Sequence, residues 1–313
     1  MKSFLEVKNL SKSFKKNRAL DRVSFSLEEG STLGIVGESG CGKSTLGRTI
    51  VRLYQADAGE IYFKGHELTH LTEQQFRPLR RYLQMIFQDP YLSLDPRMTA
   101  GEIIAESLYI HKLFHQKSDI IHRQKELMAM IGMNSEHLNR YPHEFSGGQR
   151  QRIGLARALA VGAQLIICDE PVSALDVSIQ AQIINLFQDI QEKLKLSYLF
   201  ISHDLAMVKH LSHQVAVMYL GQIVELAPRD VLFTQSLHPY THVLISAVPE
   251  PDPDMEKNRY SQSGPPDVEL GEVNYVPCRF FDRCNEKKAI CGEIAPLLKE
   301  VTPGHWVACH HFA

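Results

Sequence analysis

The sequence predicts an α/β protein with a mostly parallel sheet, and three observations lead there. Short apolar runs without polar alternation recur through the first 235 residues, as strands covered on both faces require. Longer segments of helical periodicity separate them, so strand, helix and strand follow in turn. Residues 97–160 read as mainly helical and predict a subdomain set on the sheet.

The predicted strands, in order, are "FLEVKNL" (4–10), "TLGIVG" (32–37), "LQMIF" (83–87), "LIICDE" (165–170), "YLFISH" (198–203) and "QVAVMYL" (214–220). A helix "KSTLGRTIVRLY" follows the second strand, and another, "QRQRIGLARALA", precedes the fourth. Between the fourth and fifth lies "VSIQAQIINLFQDIQEKL", where Ile179, Ile183, Leu186 and Ile190 recur at steps of three and four, as on one face of a helix. The composition changes near residue 235. Proline clusters then mark a linker around one short helix, and a cysteine-bearing tail follows. The expected division is therefore 1–235 and 236–313, in keeping with a chain of 313 residues.

Composition excludes several classes. Hydrophobic residues at 44% and charged residues at 22% suit a folded, water-soluble core. A net charge of -2 gives no electrostatic reason to expect nucleic acid. No apolar run reaches the ~18 residues of a membrane helix, and "MKSFLEVKNLSKSF" lacks the apolar core of a signal peptide. The expected location is the cytosol, with docking on a membrane left open.

"GESGCGKST" (37–45) fits the phosphate-loop pattern between a strand and a helix. Gly37, Gly40 and Gly42 let the backbone turn and aim N–H groups at phosphate oxygens, with Glu38, Ser39, Cys41 and Thr45 completing the loop. Lys43 is placed to reach the β- and γ-phosphates, and Ser44 to bind Mg²⁺. "LIICDE" ends in two acids. Neighbours on a strand point to opposite faces, so Asp169 is assigned to the Mg²⁺ shell and Glu170 to polarising the attacking water. His203 ends the next strand and should reach the same edge, because parallel strands end together.

A second small-residue loop, "FSGGQ", precedes a helix at Ser146, Gly147, Gly148 and Gln149. A helix N-terminus of this kind binds anions and equally serves as an ordinary N-cap. Here the chain resembles the ATP-binding cassette family, whose signature loop is followed closely by an acid-ended strand, as in "LIICDEPVSALD". The resemblance implies a P-loop NTPase fold with an added antiparallel β portion. It also implies a head-to-tail dimer in which each signature loop closes on the partner's ATP. Residue by residue, Gln88 matches the loop glutamine that contacts Mg²⁺ and faces membrane subunits. Ser173, Ala174, Leu175 and Asp176 match the loop crossing the dimer interface. Phe14 matches the adenine-stacking aromatic, although a plain loop Phe explains the same letters.

"QDPYLSLDPRMT", "NRYPHEFSGGQ", "DEPVSALDVSIQAQ" and "LHPYT" are similar to the peptide and nickel importer ATPases. "AVPEPDPDMEKNR" and "MTAGEIIAE" resemble the second ATP-binding subunit of oligopeptide permeases. This implies a second homologous ATPase as partner, two membrane permease subunits, an external peptide-binding protein, and a peripheral place on the cytoplasmic face of the membrane. Dipeptides, nickel chelates and antimicrobial peptides stay open as cargo. A cassette ATPase acting on chromosomes or ribosomes calls for a coiled-coil insertion or tandem cassettes, which this chain lacks.

Cys278, Cys284, Cys291 and Cys309 cluster in the tail, while Cys41 and Cys168 are isolated. In a reducing compartment such a cluster points to metal. The spacing lacks the C-x-x-C of common zinc sites. The resemblance implies a [4Fe–4S] cluster; zinc, free thiols and a redox-responsive module remain alternatives. His305, His310 and His311 are read as exposed tail residues.

Overall fold

The computed structural model describes residues 3–15, 17–247 and 277–312, and the stretch 248–276, most of the proline-rich linker, lies outside the described residues. In chain order the strands are β1 (Leu5–Phe14), β2 (Asn17–Leu27), β3 (Thr32–Val36), β4 (Ala58–Phe63), β5 (His66–Glu67), β6 (Leu83–Ile86), β7 (Leu165–Asp169), β8 (Ser197–Ile201), β9 (Gln214–Tyr219), β10 (Gln222–Pro228), β11 (Lys299–Thr302) and β12 (His305–Val307). The helices are α1 (Lys43–Ile50), α2 (Glu73–Phe76), α3 (Pro90–Ser93), α4 (Ala100–Ile110), α5 (Lys117–Met130), α6 (Gly147–Ala160), α7 (Val177–Leu194), α8 (Leu205–Leu211), α9 (Arg229–Gln235) and α10 (Pro239–Ser246).

Two sheets form. The smaller is antiparallel, in the order β2-β1-β4-β5; the larger runs β11-β12-β10-β9-β3-β8-β7-β6, with β9, β3, β8, β7 and β6 parallel to one another and β10 antiparallel to β9. The unalternating strands now have their reason. Along β7, Leu165 and Ile167 enter the core shared with α1 and the small sheet, whereas Ile166 and Cys168 enter the core shared with the helical side. β8 divides likewise, with Leu199 and Ile201 on one face and Tyr198 and Phe200 on the other. Burying each such side chain contributes roughly 1.5–3 kcal/mol, so both faces must be apolar.

Helix ends follow local chemistry. Thr99 and Glu102 form a reciprocal capping box at the start of α4, the Glu102 side chain accepting from Thr99 N–H at 2.7 Å. α1 begins after Gly42, whose φ of 107° suits glycine and whose missing Cβ would lie 2.3 Å from the Ala19 carbonyl oxygen. This helix is shorter than expected. It ends at Ile50 because Arg52 takes a left-handed φ of 57°.

The cysteine-bearing tail contributes two short strands. β12 pairs antiparallel with β10, placing Trp306 beside Leu226 and Val307 beside Glu225, and β11 adds the sheet edge. The exposed reading of His305 is corrected. It is 3% exposed, and its Nε2 lies 2.7 Å from Oε1 of Glu225, which is fully buried. That carboxylate also accepts the Leu237 and His238 N–H groups, so a buried acid finds its partners in two segments distant from its own strand. His310 is half-buried and His311 exposed.

Candidate active site

Parallel strands ending together create the site. The loop after β3, Gln88 after β6, Asp169 at the end of β7 and His203 after β8 share one carboxyl edge, with Ile86 beside Cys168 and Asp169 beside Ile201.

Lys43 is 4% exposed, and its Nζ donates to the Gly37 and Glu38 carbonyl oxygens at 2.7 and 2.8 Å. Two of three ammonium donors thus brace the loop. Cys41 is buried with its thiol pushed up by burial, whereas Ser39 and Gly40 form the exposed crest. Thr45 turns into α1, where its carbonyl accepts from the Thr49 hydroxyl at 2.7 Å.

Ser44 Oγ donates to Asp169 Oδ1 at 2.6 Å. Asp169 is fully buried. Its Oδ2 has no hydrogen-bond partner among the described residues, and the Arg48 guanidinium stands 3.5 Å off. Burial pushes this carboxyl up, while the Ser44 hydroxyl and Arg48 pull it back. An orphaned buried carboxylate oxygen beside a serine hydroxyl fits a hard cation that takes oxygen ligands.

Glu170 follows with φ 47°, an uncommon conformation for a non-glycine residue. The expected separation of the two acids is achieved by this twist. Glu170 Oε2 lies 3.1 Å from both Gln88 Nε2 and His203 Nδ1. Gln88 therefore bonds to the acid here.

The second loop lies elsewhere. Ser146 caps α6 and forms a box with Gln149, at 3.3 Å from hydroxyl to Gln149 N–H and 3.0 Å in return. Gly148 is required by close approach, since a Cβ there would lie 2.5 Å from Ile179 Cγ2 of α7, and a Cβ on Gly147 would lie 2.8 Å from Leu175 Cδ2. Ser173 and Ala174 are exposed, Leu175 is half-buried, and Asp176 precedes α7. Among the described residues no hydrogen bond joins this loop to residues 37–45. Phe14 is 42% exposed and meets Tyr54 edge-on at 5.1 Å.

The four tail cysteines line one small cavity beside His238 and Phe280. Burial pushes Cys278 up to about 11, and Cys284 and Cys309 also upward. Among the described residues no three His, Cys, Asp or Glu side chains stand close enough to hold a single metal ion.

Sequence reasoning missed Tyr240 and Arg283, which reach the phosphate loop from beyond residue 235. Their partners lie more than two hundred residues upstream, a separation that leaves no local signal.

Comparison with known proteins fits this geometry. The family model described as ABC transporter matches residues 20–173, and that described as oligopeptide/dipeptide transporter, C-terminal region, matches 224–291. The chain belongs to the ABC transporter ATPases, and the reaction of that family is ATP hydrolysis, with ATP and Mg²⁺ as ligands. Within it the chain falls in the branch that carries the oligopeptide/dipeptide C-terminal region. It is 51% identical over 311 residues to the oligopeptide transport ATP-binding protein OppF of Bacillus subtilis, covering 97% of this chain and 95% of that one. OppF of Streptococcus mutans is 47% identical, at 98% and 94% coverage. A solved dimeric ATP-binding cassette, bound to ADP and Pi after hydrolysis, superposes with a TM-score of 0.66 at 26% identity, over 72% of this chain and 98% of that one. Among the described residues no helix is long and apolar enough to cross a membrane.

Proposed function

We propose that this chain is the ATP-hydrolysing subunit of a membrane importer of oligopeptides, bound peripherally at the cytoplasmic face. The observation that carries the reading is the meeting of phosphate loop, Asp169, Glu170, Gln88 and His203 at one sheet edge, in a chain that also has the importer-type C-terminal region. The cargo is taken from the relatives' names, and dipeptides, nickel chelates or antimicrobial peptides are what failure of the peptide test would bring forward.

Each residue has a role in this reading. Backbone N–H groups of the 37–45 loop other than that of Glu38, together with Lys43, bind the β- and γ-phosphates, and Phe14 stacks on the adenine. Ser44, Asp169 and Gln88 would hold Mg²⁺, which would neutralise phosphate charge. Glu170 orients the attacking water and accepts its proton. Gln88 and His203, both on Glu170 Oε2, set the direction of that carboxylate, and His203 donates to the γ-phosphate. Ser146, Gly147, Gly148 and Gln149 close on ATP held by a second, homologous ATPase, and Ser173, Ala174, Leu175 and Asp176 cross the interface. Closure passes through the Gln88 region to two permease subunits, fed by an external peptide-binding protein.

The four cysteines are assigned to a [4Fe–4S] cluster. Four thiols around one cavity support it. Iron and sulfide analysis of anaerobically purified protein tests this, with Cys284→Ser expected to lose both.

The test of the whole reading is uptake of a labelled tripeptide by cells carrying Lys43→Ala at the native locus. Loss of uptake is expected; unchanged uptake would remove oligopeptides as the cargo.

A further inference from the structure

The C-terminal extension grips the phosphate loop at one residue, Glu38. Arg283 Nη1 and Nη2 donate to Glu38 Oε2 and Oε1, both at 2.9 Å, a bidentate pair whose side chains are 10% and 30% exposed. The Glu38 N–H donates to the Tyr240 hydroxyl at 3.0 Å, and the Glu38 carbonyl braces Lys43. Every hydrogen-bonding group of Glu38 is therefore engaged, two of them by residues beyond 235.

The guanidinium is itself held. It lies 5.7 Å from the ring centroids of both Tyr219 and Phe280. Phe280 is 3% exposed and packs on Tyr219, Tyr240 and His238. Arg283 ends a short turn, Phe281–Arg283, and its chain neighbour is Cys284. Its neighbour Arg279 ties the same segment to Leu220 O and Asp21.

We propose that Arg283 is a positioning residue for ATP: it fixes the phosphate loop through Glu38 and cancels a carboxylate that would otherwise face the incoming triphosphate. Two physical effects follow. A loop held in its binding form loses less conformational freedom when the nucleotide arrives. An unpaired Glu38, only part-buried, would repel the phosphates with a force that water screens in part. The extension thus sets nucleotide affinity while the reacting groups sit elsewhere. The inference rests on the ATP-binding reading of residues 37–45.

The experiment is binding of a fluorescent ATP analogue, and steady-state ATPase, by the full chain and by Arg283→Gln, Arg283→Lys, Glu38→Gln, Glu38→Gln/Arg283→Gln and Lys43→Ala. Arg283→Gln should raise Kd and KM roughly tenfold or more, with kcat little changed, since charged bidentate hydrogen bonds carry about that much. Arg283→Lys, which keeps the charge but not the fork, should fall between. The double variant should recover much of the affinity, because the lone carboxylate is gone. Wild-type affinity in Arg283→Gln, or no recovery in a folded double variant, overturns the proposal. Should the native chain itself ignore ATP as Lys43→Ala does, the nucleotide reading fails first and takes this one with it.

Discussion

His305 Nε2 stands 2.7 Å from Glu225 Oε1, with both side chains closed off from solvent. The pair fastens the last strand to β10. The same carboxylate holds Leu237 and His238 through their N–H groups. Removing His305 takes one of three partners from the buried carboxylate, which keeps the Leu237 and His238 N–H groups, at a cost of about 1–3 kcal/mol. His305→Ala should therefore lower stability by that order in urea titration and open the tail to limited proteolysis. An unshifted midpoint would show that the contact contributes little.

Glu170→Gln should keep ATP binding and lose hydrolysis by about 10²–10⁴-fold, the usual range for a general base. Gln88 and His203 lose a charged acceptor but keep an amide oxygen, so the local packing survives. In the assembled importer this variant should accumulate the closed, ATP-bound dimer. Single-turnover hydrolysis checks it, and a normal rate removes Glu170 from the role.

Ser44→Ala should act only through the cation. Asp169 then loses its 2.6 Å hydroxyl donor and keeps the more distant Arg48. ATP affinity should fall about tenfold in Mg²⁺ and hold steady in EDTA. Equal losses under both conditions would place Ser44 on the phosphates instead.

Gly148→Ala should disturb the contact between α6 and α7, since its methyl would come within 2.5 Å of Ile179 Cγ2. Nucleotide binding by the single chain should persist, while dimer-dependent ATPase drops. Adding Ile179→Ala should restore activity by making room. Failure of that rescue would mean the loop tolerates no side chain for another reason, such as a partner's phosphate.

Stability should fall in mild acid. His238 is 2% exposed, accepts from Tyr240 N–H at 3.1 Å, and burial holds its ring down to about 3. Its unfolded value is ~6.5, so the folded state binds fewer protons in between. The contribution is complete above ~6.5 and is lost progressively as pH falls toward about 3. At pH 5.5 the loss should be about 1.4 kcal/mol relative to pH 7.5, by thermal unfolding. His238→Gln should flatten that part of the slope.

Much of the site was legible because its chemistry lives in short contiguous stretches. "GESGCGKST", "FSGGQ" and "LIICDE" each need particular residues within one turn or strand end, and such needs leave a local pattern. The parallel strands could be read because both faces are covered, which forces apolar residues from Leu165 to Cys168 in β7 and from Tyr198 to Ile201 in β8. β2 was missed although Val23, Phe25 and Leu27 alternate inward, a signal that was present. β12 left almost none, being three residues long and a strand by virtue of its pairing with β10 and β11.

The sequence by itself determined the glycine-rich loop at 37–45, the acid-ended strand, the alternation of strands with helices, and the presence of four tail cysteines. Tertiary structure alone decided that Glu170 turns away from Asp169 to meet Gln88 and His203, that His305 is buried against Glu225, and that Arg283 closes on Glu38. The physical reason is range. Propensity, periodicity and motif spacing act within a few residues, whereas a hydrogen bond between residues 38 and 283 exists only once the sheet has brought the two ends of the chain together.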